Sequence, residues 1–221
     1  MHYIIPSFFH CKQTGVNPQL LLEGIISGFR SSLTAAIGDS DFFGENVSYD
    51  PQFETLKAEV GKAGNIDYDL VESSALQLLT QKSKDLRVMA YLSYALVRKR
   101  KWQELTEAFE ALTELAQKDF PNLYPRRARA KTLALQWLSE PRFCDSLDQC
   151  SPGPADRDHI QRLHQSLKTL KDVLEPHFPD GTPFPRTLLT KTAQWEKESA
   201  APPSPPKPSS PAAAPPAADS W

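Results

Sequence analysis

The chain is poor in the features that mark secreted, membrane-spanning or polybasic proteins. Three cysteines, Cys11, Cys144 and Cys150, are an odd and low count for 221 residues and argue for a reducing compartment. No apolar run approaches the ~18–20 residues of a membrane span, so membrane insertion is not expected. The opening stretch MHYIIPSFFHC is apolar but has no Lys or Arg ahead of its apolar part; a secretory leader needs one. A cytoplasmic protein is expected. Neither charge sign dominates: 25 Lys+Arg face 27 Asp+Glu, a net charge of -2. That excludes a wholesale polybasic nucleic-acid binder, though not a local basic patch. P-loop, Rossmann fingerprint and HExxH are all missing, and no stretch reads as a buried strand.

What is present fits a soluble helical domain with a tail. The hydrophobic fraction is 40%, ordinary for a globular protein. Eight of the 20 prolines follow Ala200, where only Lys207 and Asp219 are charged. Residues 201–221 are therefore expected to form a disordered Pro/Ala/Ser-rich linker or tail, because that composition cannot bury a core. Its form suggests a linker that leads, in a longer relative, to another domain. The remaining ~200 residues can bury roughly 70% of their unfolded surface without a staple.

Helices are announced by caps and apolar stripes. Asn17-Pro18 opens the first, with Leu21, Leu22, Ile25, Ile26, Phe29, Leu33 and Ile37 on one face and Gly38 at its end. Residues 38–49 read as a loop. Asp50-Pro51 repeats the cap signal ahead of Phe53, Leu56 and Val60, and Asp67 opens a helix with Leu70, Val71, Ala75, Leu78 and Leu79 inward. Ser83 is expected to begin the next helix, with Asp85 in its first turn and Leu86, Met89, Ala90, Leu96 and Val97 inward. Trp102 to Lys118 presents Leu105, Phe109, Leu112 and Leu115. Arg126 to Leu138 places Leu133, Trp137 and Leu138 on its apolar side. Residues 139–154 read as a loop. From Asp156 the apolar residues Ile160, Leu163, Leu167, Leu170 and Leu174 follow a 3-4-3-4 heptad-like spacing that fits packing on the body or on a partner. Residues 186–198 make one more polar helix. The fold expected is all-α, an antiparallel bundle of about six to eight helices.

Three patterns resemble chemistry without meeting its requirements. Gly38-Asp39-Ser40 with Asp156-x-x-His159 matches blocks of GDSL esterases, where a histidine oriented by an aspartate activates a serine. Such a serine follows a strand, and here an amphipathic helix precedes it. Cys144, Cys150, His159 and His164 are spaced C-x5-C-x8-H-x4-H, too wide at the cysteines for a tetrahedral zinc site; free thiols and solvated histidines account for them. Arg98-Lys99-Arg100-Lys101 and Arg126-Arg127-x-Arg129-x-Lys131 are basic clusters, the first at a helix end where cations complement the macrodipole. No catalytic, cofactor-binding or metal-ligating residue is assigned, no cofactor is expected, and nucleic acid is not an expected partner.

One ordered set of residues does carry a family likeness. It runs from Gly44-Glu45 through Tyr49-Asp50-Pro51-x-Phe53-x-x-Leu56, Asp67, Val71, Ala75 and Leu78-Leu79. It continues in Ser83-Lys84-Asp85-Leu86-Arg87-Val88, Tyr91-Leu92, Trp102, Leu105, Leu112 and Leu115, and ends with Leu123-Tyr124-Pro125 and Ala134-Leu135-x-Trp137-Leu138. On these residues the segment 43–138 resembles the ImpA-type N-terminal domain of TssA proteins, components of the bacterial type VI secretion system. Phe120 stands where that family commonly has tryptophan, and the family's C-terminal assembly domain is not in this sequence. The resemblance implies a non-catalytic scaffold that helps assemble baseplate and contractile sheath, with other secretion components (baseplate, sheath or tail-tube proteins) as partners. Without the ring-forming domain, a monomer or small oligomer is expected. A generic cytoplasmic helical adaptor is the alternative, and a GDSL-like esterase a more distant one. The organisation expected is an N-terminal helical extension over 1–42, the ImpA-type domain over 43–138, a loop and amphipathic extension over 139–200, and the tail. Asp50, Pro51, Phe53, Ser83, Lys84, Asp85, Leu86, Arg87, Trp102, Trp137 and Leu138 form the family motif, which caps and apolar positions explain as a fold determinant, with Arg87 reaching a carboxylate of a neighbouring helix.

Overall fold

The computed structural model describes residues 28–200. The helix start at Asn17-Pro18, the apolar positions up to Ile26, Cys11 and the Pro/Ala-rich tail lie outside the described residues. Among these, every regular element is helical: α1 (28–34), α2 (Pro51–Val60), α3 (Tyr68–Gln81), α4 (Leu86–Arg98), α5 (Trp102–Asp119), α6 (Ala128–Trp137), α7 (Pro141–Gln149), α8 (Arg157–Leu174) and α9 (Arg186–Ala200). The expected all-α bundle is what forms.

Local chemistry explains most boundaries. The Asp50 carboxylate accepts from the Gln52 and Phe53 N–H groups, with Pro51 as first helical residue, and Asp67 caps α3 in the same way through Asp69 and Leu70. Phe53, Leu56, Val71, Ala75, Leu78, Leu96, Leu105 and Phe109 are all buried in one continuous apolar cluster. That cluster extends into Phe143, Leu147, Ile160, Leu163, Leu167, Leu170, Leu188 and Trp195, so α7, α8 and α9 share the core of the preceding helices.

The heptad-like seam of α8 is used inside the chain. Its five apolar residues are buried, and α8 has its largest contact with α5. Thr106 Oγ1 donates to the His159 carbonyl at 2.9 Å, and seven residues further along both helices Thr113 Oγ1 and Ser166 Oγ lie 3.1 Å apart. The constant offset means that α5 and α8, not consecutive in the chain, run in the same direction in heptad register.

Several boundaries and faces differ from the sequence expectation. Helix α1 ends at 34, ahead of Gly38, because the Ile37 N–H turns to the Phe42 carbonyl and sends the chain toward α4. Ser83 does not start α4: Asp85 is the N-cap, accepting from the Arg87 N–H, since residues 82–86 are held extended by nonlocal backbone bonds. Leu70 is 38% and Leu133 58% exposed; each sits one helical step outside its stripe, beside the buried Val71 and Ala134. The sixth helix begins at Ala128, not Arg126. Residues 141–149, expected as loop, form α7: Pro141 occupies the first turn, where its missing N–H costs nothing, and Phe143 and Leu147, one turn apart, are buried.

Candidate functional site

The family-motif residues converge on an extended segment between α3 and α4. Residues 82–86 have a backbone neighbour on each side. The Glu45 N–H donates to Lys82 O at 2.9 Å and the Lys84 N–H to Phe43 O at 2.8 Å. On the other flank Tyr124 N–H donates to Lys84 O at 3.0 Å and Leu86 N–H to Tyr124 O at 2.8 Å. Gly44 makes the first flank possible: its φ is +79°, and a Cβ there would overlap the Lys82 carbonyl.

Most of the motif faces inward. Ser83 is 0%, Lys84 1%, Asp85 1% and Leu86 4% exposed. The Ser83 hydroxyl has no hydrogen-bond partner among the described residues, so it is not a cap. The Lys84 ammonium donates to Leu79 O at 2.8 Å, and burial pushes its pKa down to about 8. Lys131, which sequence reading placed in a surface basic cluster, is likewise buried and brought down to about 8 by desolvation. Its ammonium sits among the carbonyls of Phe120, Pro121 and Leu123 at 2.5, 3.0 and 2.7 Å. It therefore pins the turn that carries Tyr124.

Arg87 does not reach across to a neighbouring helix for its carboxylate. Its Nε and Nη2 bind Asp85 of its own cap at 3.0 and 2.6 Å, Nη1 donates to Ser48 Oγ at 3.2 Å, and the guanidinium lies 4.4 Å from the Phe53 ring centre. Asp50, besides capping α2, holds Lys82 at 2.6 Å, and that bond keeps its pKa below the usual carboxylate range. From Arg87 a row of rings runs through the molecule: Phe53 on Tyr91, Tyr91 and Tyr94 on Trp137, and Tyr94 on Tyr68. Leu138 is buried. Trp102 stands apart and packs edge-on to Trp195 of α9 at 5.2 Å.

Outside this framework the same segments form a groove of about 460 Å³. Its walls are Asn46, Ser48 and Tyr49 before α2, Arg87, and Tyr124, Pro125, Arg126, Arg127 and Ala130. Tyr49 is 94% exposed, far more than any packing role requires. Arg126 pairs with Asp41 at 2.7 Å and lies 4.8 Å from the Tyr124 ring centre. Arg127 is exposed. No carboxylate lines the groove, so its polar surface is rich in donors, and tyrosine and arginine are the residue types that dominate binding hot spots. Tyr49 and the arginines lie far apart in the sequence, and nothing local signals that they share one rim.

The other sequence candidates are not brought together as chemistry. Ser40 is exposed in the loop after α1, and Asp156 spends its carboxylate on the Gly153 N–H at 2.8 Å. No group of three potential metal ligands forms among the described residues. His164, expected to be solvated, is buried, with Nδ1 3.0 Å from Thr192 Oγ1, and burial lowers its pKa. In the first basic cluster Lys99 pairs with Asp69 and Glu72, and Lys101 with Glu72. No described helix is long and apolar enough to cross a membrane.

Residues 34–140 match the family model described as ImpA, N-terminal, type VI secretion system. Among solved structures the fold is similar to the N-terminal domain, including the conserved ImpA_N region, of the TssA component of the type VI secretion system from Burkholderia cenocepacia. That likeness has a TM-score of 0.65 at 15% identity and covers 77% of this chain and 92% of that one. No curated protein sequence matches the chain.

Proposed function

We propose that the chain, whose residues 34–140 match the ImpA N-terminal family model of type VI secretion systems, is a non-catalytic interaction module that helps assemble the baseplate and contractile sheath. Its partners are then other components of the apparatus, baseplate, sheath or tail-tube proteins, met on the cytoplasmic side. Residues 43–138 are the ImpA-type domain, and 139–200 an extension that completes the core. The motif residues, the buried Ser83 to Leu86 and Phe53 with the half-buried Asp50 and Trp137, act as framework, and the outward rim of Tyr49, Tyr124, Arg126 and Arg127 is the docking surface. The observation that carries this reading is Tyr49: a large ring held 94% exposed beside a donor-rich groove, on the segment that the family model covers.

The test is binding of the purified chain to the sheath, baseplate and tube subunits of the same system by biolayer interferometry. Saturable binding to one of them is expected, weakened at least tenfold by the double substitution Tyr49→Ala with Arg127→Glu, as for loss of hot-spot residues. Equal binding by the double variant would move the docking surface elsewhere. Binding to none of the subunits would favour the generic adaptor.

A further inference from the structure

A second groove, of about 620 Å³, opens between the α2–α3 loop, the end of α4 and α7. Arg98 from α4 and Arg142 from α7 both line it, with the hydroxyl-bearing Tyr68, Tyr94 and Ser146. Both guanidiniums belong to half-buried residues. Neither has a carboxylate within ion-pair distance among the described residues, unlike Lys82, Arg87, Lys99, Lys101 and Lys191, which are buried to a similar degree and all paired.

The internal bonds of the two arginines are few. Arg98 Nη1 donates to Gln149 Oε1 at 2.6 Å, while its buried Nε has no acceptor; Arg142 Nη1 donates to the Val60 carbonyl. A guanidinium offers five N–H donors, so most of this capacity is unused. The Tyr68 and Tyr94 hydroxyls lie 3.2 Å apart. Asp145 is the one carboxylate in the lining, and Lys62, also in the lining, is already paired with Glu59. Two half-buried cations on rigid helices, without a counter-charge of their own, are a receptor for an anion from outside. The guanidinium fork matches carboxylate and phosphate oxygens in bidentate fashion.

We infer that this groove is an oxyanion-binding site, in which Arg98 and Arg142 together hold a carboxylate or phosphate group. Titrating the full chain with sodium phosphate and, separately, with glutarate, against sodium chloride at matched ionic strength, and following 1H–15N spectra tests it. Saturable shifts are expected at the amides of Asn65, Tyr68, Arg142 and Ser146, with Thr113 unmoved. A response to phosphate alone assigns a phosphate ligand, and a response to glutarate alone assigns a carboxylate. Arg98→Gln and Arg142→Gln should each weaken the apparent affinity tenfold or more. Circular dichroism identifies which variants remain folded, and Arg142→Lys keeps the charge but removes the fork should a Gln variant not fold. No saturable shift with either anion, or unchanged affinity in a folded Gln variant, would overturn the assignment.

Discussion

Replacing Asp85 by alanine strikes the point where the extended 82–86 segment turns into α4. The carboxylate is 0% exposed and bonds the Arg87 N–H at 2.8 Å together with two guanidinium nitrogens. An N-cap contributes about 1 kcal/mol, and removing one partner of a buried ion pair costs about 3–5 kcal/mol. The Arg87 side chain is still 23% exposed and retains Ser48 and Phe53 as neighbours. The low end of the second range therefore applies, and the sum is about 4 kcal/mol. Equilibrium unfolding in urea, followed by tryptophan fluorescence, measures it; in a heat scan it corresponds to a loss of about 10 °C for a domain of this size. Asp85→Asn separates the two contributions, because asparagine caps as well as aspartate but carries no charge. It should recover about 1 kcal/mol of the loss. A destabilisation below about 1 kcal/mol for Asp85→Ala would show that Arg87 is satisfied without the carboxylate and that the cap is dispensable.

The two buried lysines set a pH dependence. Lys84 and Lys131 lose their protons near pH 8 when folded but near 10.4 when unfolded, so unfolding takes up protons in between and stability rises from about pH 8 to about pH 10. The carbonyls around Lys131 favour its ammonium, so Lys84 should dominate, and Lys84→Met should flatten the rise; a urea midpoint that falls from pH 8 to pH 10 would contradict this. Above about pH 10 the trend reverses, because burial holds the Tyr94 phenol up at about 12 while unfolded tyrosines ionise near 10. On α6, Leu133→Glu should change stability by less than about 0.5 kcal/mol, whereas Leu135→Ala should cost about 2–5 kcal/mol; equal losses in urea unfolding would mean that the helix presents a different face.

What the sequence made legible is what local chemistry decides. Asp50 and Asp67 cap helices through their own side chains, two and three residues on, and the heptad spacing of α8 demands an apolar surface wherever that surface lies. α7 was obscured because Pro152, Gly153 and Pro154 dominate the composition of its region, although Pro141 followed by Phe143 and Leu147 at i, i+4 is a valid helix start. The start of α4 at Leu86, not at Ser83, has a different origin. The bonds that hold 82–86 extended come from Phe43, Glu45 and Tyr124, about 40 residues away on either side, and no local pattern carries them. The candidate groove has the same origin: Tyr49, Arg87 and Arg127 meet only because that nonlocal ladder brings their segments to one place.

That ladder also orders events during synthesis. The 82–86 segment has one neighbour already made when it leaves the ribosome and another, Tyr124, still to come. The first three helices can therefore gather on a nascent chain, but the backbone groups of Lys84 and Leu86 remain half-matched until some 40 further residues have emerged. A nascent chain stalled before residue 124 should hold its early helices and leave the start of α4 open to proteases.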